Sequence, residues 1–321
     1  MRRILVFFLA FLFFLPAAAS ATTIVTSFYP VWLLTLNLTA GLDDITVRNL
    51  AAPETGCLHD YALMPSDMTA LSDASALLIN GAGMESFLPM ILEACPDLPV
   101  IDASDGIELL AEEDNSGHAH SHHQHNHEDN GHENENEEAD EEEGNSHIWL
   151  DPMRAAAMAE NLANGLISLI PEHSDTIRAN LNSLQTRLIA LDMSLKSAFS
   201  EDDGCDVIIM HEAFPYFAEA CGLDVIETVD KEPEDNLPAS RLVQVIKTVN
   251  ACPSLPLIIR STEEDPAVSV LAAETGAPVC ALDTLASGPA DPPMDYYETV
   301  MRHNLDLIVQ ALSDRQMTTD N

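Results

Sequence analysis

The chain has 321 residues and a formal net charge of −40, from 53 Asp and Glu set against 13 Lys and Arg. A surface this acidic argues against nucleic acid and anionic membranes and suits a cationic ligand. The length allows two domains of ordinary size, so the six cysteines are not needed to staple a core and need not all be bridged.

Met1 to Ala21 reads as a secretory signal: Arg2-Arg3, an apolar run from Ile4 to Leu15, then Pro16 and the small residues Ala19-Ser20-Ala21. The run is too short to span a bilayer. No cysteine lies near the cleavage point, so the mature chain is expected to be periplasmic and without a lipid anchor; a monomer is expected as well.

Thr23-Ile24-Val25-Thr26-Ser27 is a β-branched run before Pro30, hence a strand, and Val31 to Leu38 a helix. Ile45 to Leu50 is a second strand, followed by the loop Ala52 to Asp60. Pro65-Ser66-Asp67 opens another helix. Ser75 to Ile79 is a third strand, turned by Asn80-Gly81-Ala82-Gly83 into a helix predicted over 84–95. Leu98 to Asp102 is a fourth strand. Strands alternating with helices indicate a parallel α/β sheet.

From Glu112 to Asn145 the pattern changes. Residues 112–143 hold thirteen acids and no Lys or Arg, with His118, His120, His122, His123, His125, His127 and His132 among them. Such a segment buries too little apolar surface to offset ordering, so a disordered insert is expected. Its histidines are expected to capture metal weakly and multivalently.

His147-Ile148-Trp149-Leu150-Asp151-Pro152 marks the return of globular sequence. Asp151 before Pro152 is a helix start: an N-cap acceptor, then a residue whose missing N–H costs nothing. Pro152 to Ile170 reads as one helix. Glu172 to Ser200 reads as a longer one, some 40 Å at roughly 1.5 Å per residue, and is placed as the connection between lobes. Strands over 206–210, 223–228, 255–259 and 278–282 then alternate with helices over 213–221, 238–250 and 265–275, and a last helix runs from Tyr296 to Leu312. The expected architecture is α/β: two pseudo-symmetric lobes, each a four-stranded parallel sheet with flanking helices, joined by one long rigid helix. In residue terms these are a lobe over 22–152, a helical connection over 153–201 and a second lobe over 202–321. A helix after a strand runs back toward the strand's start, which suggests a Cys205–Cys221 disulfide.

Ligands of open parallel sheets bind beyond the carboxyl ends of the strands. His59 follows the second strand, His147 follows the fourth by way of the insert, His211 ends the strand from Asp206, and Asp283 ends the strand from Val279. Two come from each half, so one cleft can gather all four. Three imidazoles and a carboxylate make a complete four-coordinate shell for zinc. Outside the insert, the remaining histidines are His173 and His303.

The motifs carry a resemblance as well. Pro53 to Asp67, with His59, Tyr61 and Pro65-Ser66-Asp67, resembles a Pro-x-x-His-x-Tyr-x-x-x-Pro-Ser-Asp signature. That signature marks the metal-binding component of zinc and manganese ABC importers. Asn80-Gly81-Ala82-Gly83-Met84-Glu85 is similar to that family's Asn-Gly-x-Gly-x-Glu turn. His147 to Pro152 is similar to its His-x-Trp-Leu-Asp-Pro, and Leu282-Asp283 to its late Leu-Asp. The likeness runs from about Thr23 to Leu312. It implies two lobes joined by a rigid helix, cation ligands at His59, His147, His211 and Asp283, and partnership with a membrane permease and its ATPase.

His211 stands where manganese-type members usually carry Glu, so it resembles the zinc-type branch, as does the His-rich insert. The sequence departs from the pattern at Cys57, at Arg260-Ser261-Thr262-Glu263, and at Thr284, which replaces a usual proline. Capture of Zn²⁺ for import is the expected function, with a manganese- or iron-binding relative as the alternative. A secreted zinc hydrolase is disfavoured because no His-Glu-x-x-His occurs and four protein ligands leave no position for water. A secreted metal buffer or adhesin is the other rival.

Overall fold

In the computed structural model the described residues are 22–58, 61–111, 144–199, 205–229 and 237–319. Four strands, β1 (Thr22–Thr26), β2 (Ile45–Asn49), β3 (Ala76–Ile79) and β4 (Val100–Asp102), form a parallel sheet in the order β2-β1-β3-β4. The second half repeats the plan: β5 (Asp206–Ile209), β6 (Asp224–Thr228), β7 (Leu257–Ser261) and β8 (Val279–Leu282) are ordered β6-β5-β7-β8. β3 is wholly buried, as a parallel strand covered on both faces should be.

The helices are α1 (Tyr29–Leu38), α2 (Pro65–Ser72), α3 (Leu88–Ala94), α4 (Pro152–Leu169), α5 (Ser174–Lys196), α6 (Pro215–Cys221), α7 (Ala239–Ala251), α8 (Pro266–Thr275) and α9 (Tyr296–Thr319). Asp151 caps α4 as expected, its carboxylate accepting the N–H groups of Met153 at 2.6 Å and Arg154 at 3.0 Å. Its 23 residues make α5 about 34 Å long. Ile177, Leu184, Leu188, Leu191 and Leu195 recur on it at helical spacing and are buried. α5 packs on α4 and α1 of the first half and on α6 and α9 of the second. These leucines join Ile24, Val25 and Leu77 of one sheet to Val207, Ile209 and Leu257 of the other in one continuous core. Arg187 adds a polar tie across the same seam. Its Nε donates to Glu298 Oε1 on α9 at 2.6 Å and its terminal nitrogen to Asn37 Oδ1 on α1 at 2.5 Å.

Several boundaries differ from the sequence reading, chief among them three. The helix predicted from residue 84 begins at Leu88, because Glu85 is used instead to close the turn before it. Its two carboxylate oxygens accept the N–H groups of Asn80 and Gly81, at 2.8 and 3.1 Å. Gly81 has φ +77°, and a Cβ there would sit 1.9 Å from Asp102 Oδ1, so only glycine fits. The long helix starts at Ser174, after a 3-10 turn over Pro171–His173, and the last helix runs on to Thr319.

No disulfide joins Cys205 to Cys221, and this corrects the expected pair. The strand register sets Asp224 beside Asp206, and the Asp224 N–H donates to the Cys205 carbonyl at 3.1 Å. The chain returning to the foot of β5 is therefore β6. Cys221 lies earlier, in the last turn of α6 before the left-handed Gly222, and packs there as a small apolar side chain.

Candidate metal centre

The Asn80–Glu85 turn has a task beyond shape. Asn80 Nδ2 donates to the Ser146 carbonyl at 2.9 Å, which fixes the residue before His147. Asn145 then fixes the ring. Its Nδ2 donates across the lobes to the Glu212 carbonyl at 2.7 Å, so Oδ1 faces His147. That oxygen accepts the His147 backbone N–H at 2.9 Å and meets Nδ1 at 3.1 Å. An acceptor at Nδ1 requires the proton to be on Nδ1, which leaves the Nε2 lone pair for a cation. The residue is 1% exposed, and its ring lies 5.0 Å from that of Trp149, the two planes tilted by 46°.

His211 comes from the other lobe, just past β5, and its ring centre is 6.2 Å from that of His147. It is 3% exposed. Its Nδ1 accepts the Ala213 N–H at 3.1 Å, so in the neutral ring the proton is on Nε2. Coordination through Nε2 therefore requires this ring to leave Ala213, whereas His147 is already prepared. Among the described residues no three His, Cys, Asp or Glu side chains are disposed as they stand to hold a metal ion.

Asp283 follows β8. Its N–H donates to Asn304 Oδ1 at 2.9 Å, and its Oδ1 accepts the Leu285 N–H at 2.7 Å. Leu285 is held at φ +57° by this turn. Burial pushes the Asp283 carboxyl up from its ordinary value, against the opposing pull of the Leu285 N–H and the His303 charge. The loop is tied to the His147 segment through Trp149, whose Nε1 donates to the Thr284 carbonyl at 2.8 Å. His173 is remote from this group, its Nε2 lying 3.0 Å from Asp44 Oδ2 at the surface.

His59 lies outside the described residues, as do His118, His120, His122, His123, His125, His127 and His132. What flanks His59 explains its motif. Asp67 Oδ2 accepts the Met64 N–H at 2.7 Å and the Tyr61 hydroxyl at 2.9 Å, while Pro65 starts α2. The Tyr61 hydroxyl is pushed up to about 12 by burial and by this carboxylate. Leu58, on the other side, is fully buried. The ends of the insert meet as an antiparallel pair, Ala111 with Gly144, three residues before His147.

Three residues near the site were not assigned to it from sequence. Asn145 and Glu212 belong to no recognised motif position, and Glu212 Oε1 lies 3.8 Å from His147 Nε2. Cys57 stood out only as a departure, and its Sγ lies 3.7 Å from the same nitrogen.

Residues 24–311 match the family described as "Zinc-uptake complex component A periplasmic". The chain belongs to that family. It is a family of metal-binding solute-binding proteins, not of enzymes. The high-affinity zinc uptake system protein ZnuA of Yersinia pestis is 26% identical over 242 residues, 72% of each chain. The manganese-binding lipoprotein MntA of Halalkalibacterium halodurans is 24% identical, over 79% of this chain and 77% of its own. The zinc-binding protein AdcA of Streptococcus pyogenes is 25% identical over 94% of this chain but only 57% of its own length. Among solved structures, a crystal structure of ZnuA superposes with a TM-score of 0.71 at 24% identity, covering 91% of this chain and 99% of that one. The Pseudomonas aeruginosa protein FpvC in complex with Ni²⁺ gives 0.73 at 20% identity, covering 91% and 97%. Both likenesses are of fold.

Proposed function

We propose that the chain captures Zn²⁺ in the cleft between its lobes and delivers it to the permease of an ABC importer, powered by the partner ATPase. In this reading the cation is held by the imidazoles of His59, His147 and His211, with the carboxylate of Asp283 offered for the fourth place. The observation that carries it is His147: a buried ring whose proton is held on Nδ1 by Asn145, so that Nε2 is its basic nitrogen, and which faces His211 of the other lobe. Imidazole donors suit zinc, whereas manganese prefers carboxylate and water.

A cation bound between the lobes draws His211 away from Ala213 and adds a bond across the seam. A permease that recognises the joined lobes thereby distinguishes loaded from empty protein. Ala111 and Gly144, which flank the histidine-rich segment, pair three residues before His147, and this suits a role for that segment in raising local metal concentration before hand-over. The test is competition between Zn²⁺ and Mn²⁺ for the mature chain purified without a His-tag. Preference for Zn²⁺ supports the reading; preference for Mn²⁺ points to the manganese-binding alternative.

A further inference from the structure

We propose that Cys57 is a metal-ligating residue of the interlobe site, its sulfur joining the imidazoles of His147 and His211 in place of the Asp283 carboxylate when the cation is soft. This rests on the cation site described above and names a donor that the motif does not supply.

The geometry is the first support. In a tetrahedral zinc shell, Zn–N of about 2.0–2.1 Å and Zn–S of about 2.3 Å put the two donor atoms about 3.6 Å apart. Cys57 Sγ and His147 Nε2 are 3.7 Å apart before any cation is present. The same construction for a carboxylate gives about 3.4 Å, and Glu212 Oε1, at 3.8 Å, lies outside it.

Protonation is the second. Because His147 carries its proton on Nδ1, its Nε2 is the acceptor and the Cys57 thiol is the donor in this contact. A cation entering between them takes both partners at once. The S–H bond breaks, the proton leaves to solvent, and an S–metal bond forms while the ring lone pair turns from the proton to the metal.

The loop is built to hold the sulfur there. Leu58 anchors it in the core, and the Gly288 N–H of the second lobe donates to the Pro53 carbonyl at 2.9 Å. Gly288 is needed at this seam because a Cβ there would lie 2.4 Å from the Tyr29 hydroxyl of α1. Cys221 and Cys280, by contrast, are packed in the core, where burial pushes the Cys280 thiol up to about 11 and Cys221 further. Asp283 remains partly committed to the Leu285 N–H, so the softer donor has the advantage for zinc and the carboxylate for harder ions.

Cobalt(II) tests this in the full mature chain under reducing conditions. The wild type should show a sulfur-to-cobalt charge-transfer band in the near ultraviolet together with tetrahedral visible bands. The insert contains no cysteine, so cobalt bound there adds no sulfur band. Cys57→Ser and Cys57→Ala should abolish the ultraviolet band and keep the visible ones, while Cys280→Ser keeps both. Cys57→Ser should also lower the Zn²⁺ to Mn²⁺ affinity ratio by roughly tenfold or more. A wild-type cobalt site that is lost in His147→Ala but shows no sulfur band overturns the Cys57 assignment alone, as does a band that survives Cys57→Ser. Cobalt spectra unchanged by His147→Ala overturn the interlobe site itself.

Discussion

Asn145→Ala removes the residue on which the readiness of His147 depends. Three hydrogen bonds go with the side chain: from the His147 N–H at 2.9 Å, from His147 Nδ1 at 3.1 Å, and to the Glu212 carbonyl at 2.7 Å. At about 0.5–1.5 kcal/mol net each, their loss costs on the order of 2–4 kcal/mol of stability. The effect on the cation is separate. Without an acceptor at Nδ1 the ring is free to hold its proton on Nε2 and to turn, and loss of such an orienting partner weakens metal binding by roughly 10–100-fold. Asn145→Asp separates the two effects. It keeps an acceptor for Nδ1 and loses the donor to Glu212, so zinc affinity should stay near the wild-type value while the melting temperature falls. Chelator competition for the tight site, with thermal melts of the metal-free proteins, measures both. Equal zinc affinity in Asn145→Ala and wild type would refute the orienting role, as would equal losses in the Ala and Asp variants.

Other outcomes follow from the same contacts. His59→Ala, His147→Ala and His211→Ala should each weaken zinc strongly while His173→Ala and His303→Ala do little, as read by competition titration. Burial raises the Glu85 carboxyl to about 7, against the opposing Asn80 and Gly81 N–H groups. Between about pH 4.5 and 7 the folded chain thus holds a proton the unfolded chain has lost, so stability should fall as pH rises through that window, by on the order of 3 kcal/mol. Chemical denaturation at stepped pH should show this component vanish in Glu85→Gln. Arg187→Ala leaves the buried Glu298 without its cation and should cost about 1–3 kcal/mol, visible as a lower denaturation midpoint. Deleting residues 115–142 should remove weak zinc equivalents and leave one tight site, counted by calorimetry.

The sheets, the long helix and the strand-end places of His147, His211 and Asp283 were legible because each rests on local pattern. β3 is a continuous apolar run, α5 repeats leucine every three or four residues, and Asp151-Pro152 is a cap. The turn at Asn80–Glu85 was legible as a motif but not as a helix boundary, because Glu85 reads locally as a helix former while its carboxylate is spent on two backbone N–H groups behind it. The Cys205–Cys221 expectation had the right strand and helix but lacked the register that puts Asp224 at the foot of β5. Asn145 was hidden because its role exists only when the second lobe brings Glu212 to it. Cys57 was visible as an oddity, and only the fold sets it beside a ring nitrogen ninety positions away in sequence.

The central claim is that one cation sits between the lobes on His147 and His211. Crystals of the chain lacking residues 115–142, loaded with zinc and measured at the zinc absorption edge, test it most directly. The account predicts one strong anomalous peak about 2.0–2.1 Å from His147 Nε2, with His211 turned off Ala213 to meet it. A peak bonded to neither histidine, or a fully loaded crystal with His211 still accepting from Ala213 through Nδ1, would contradict it.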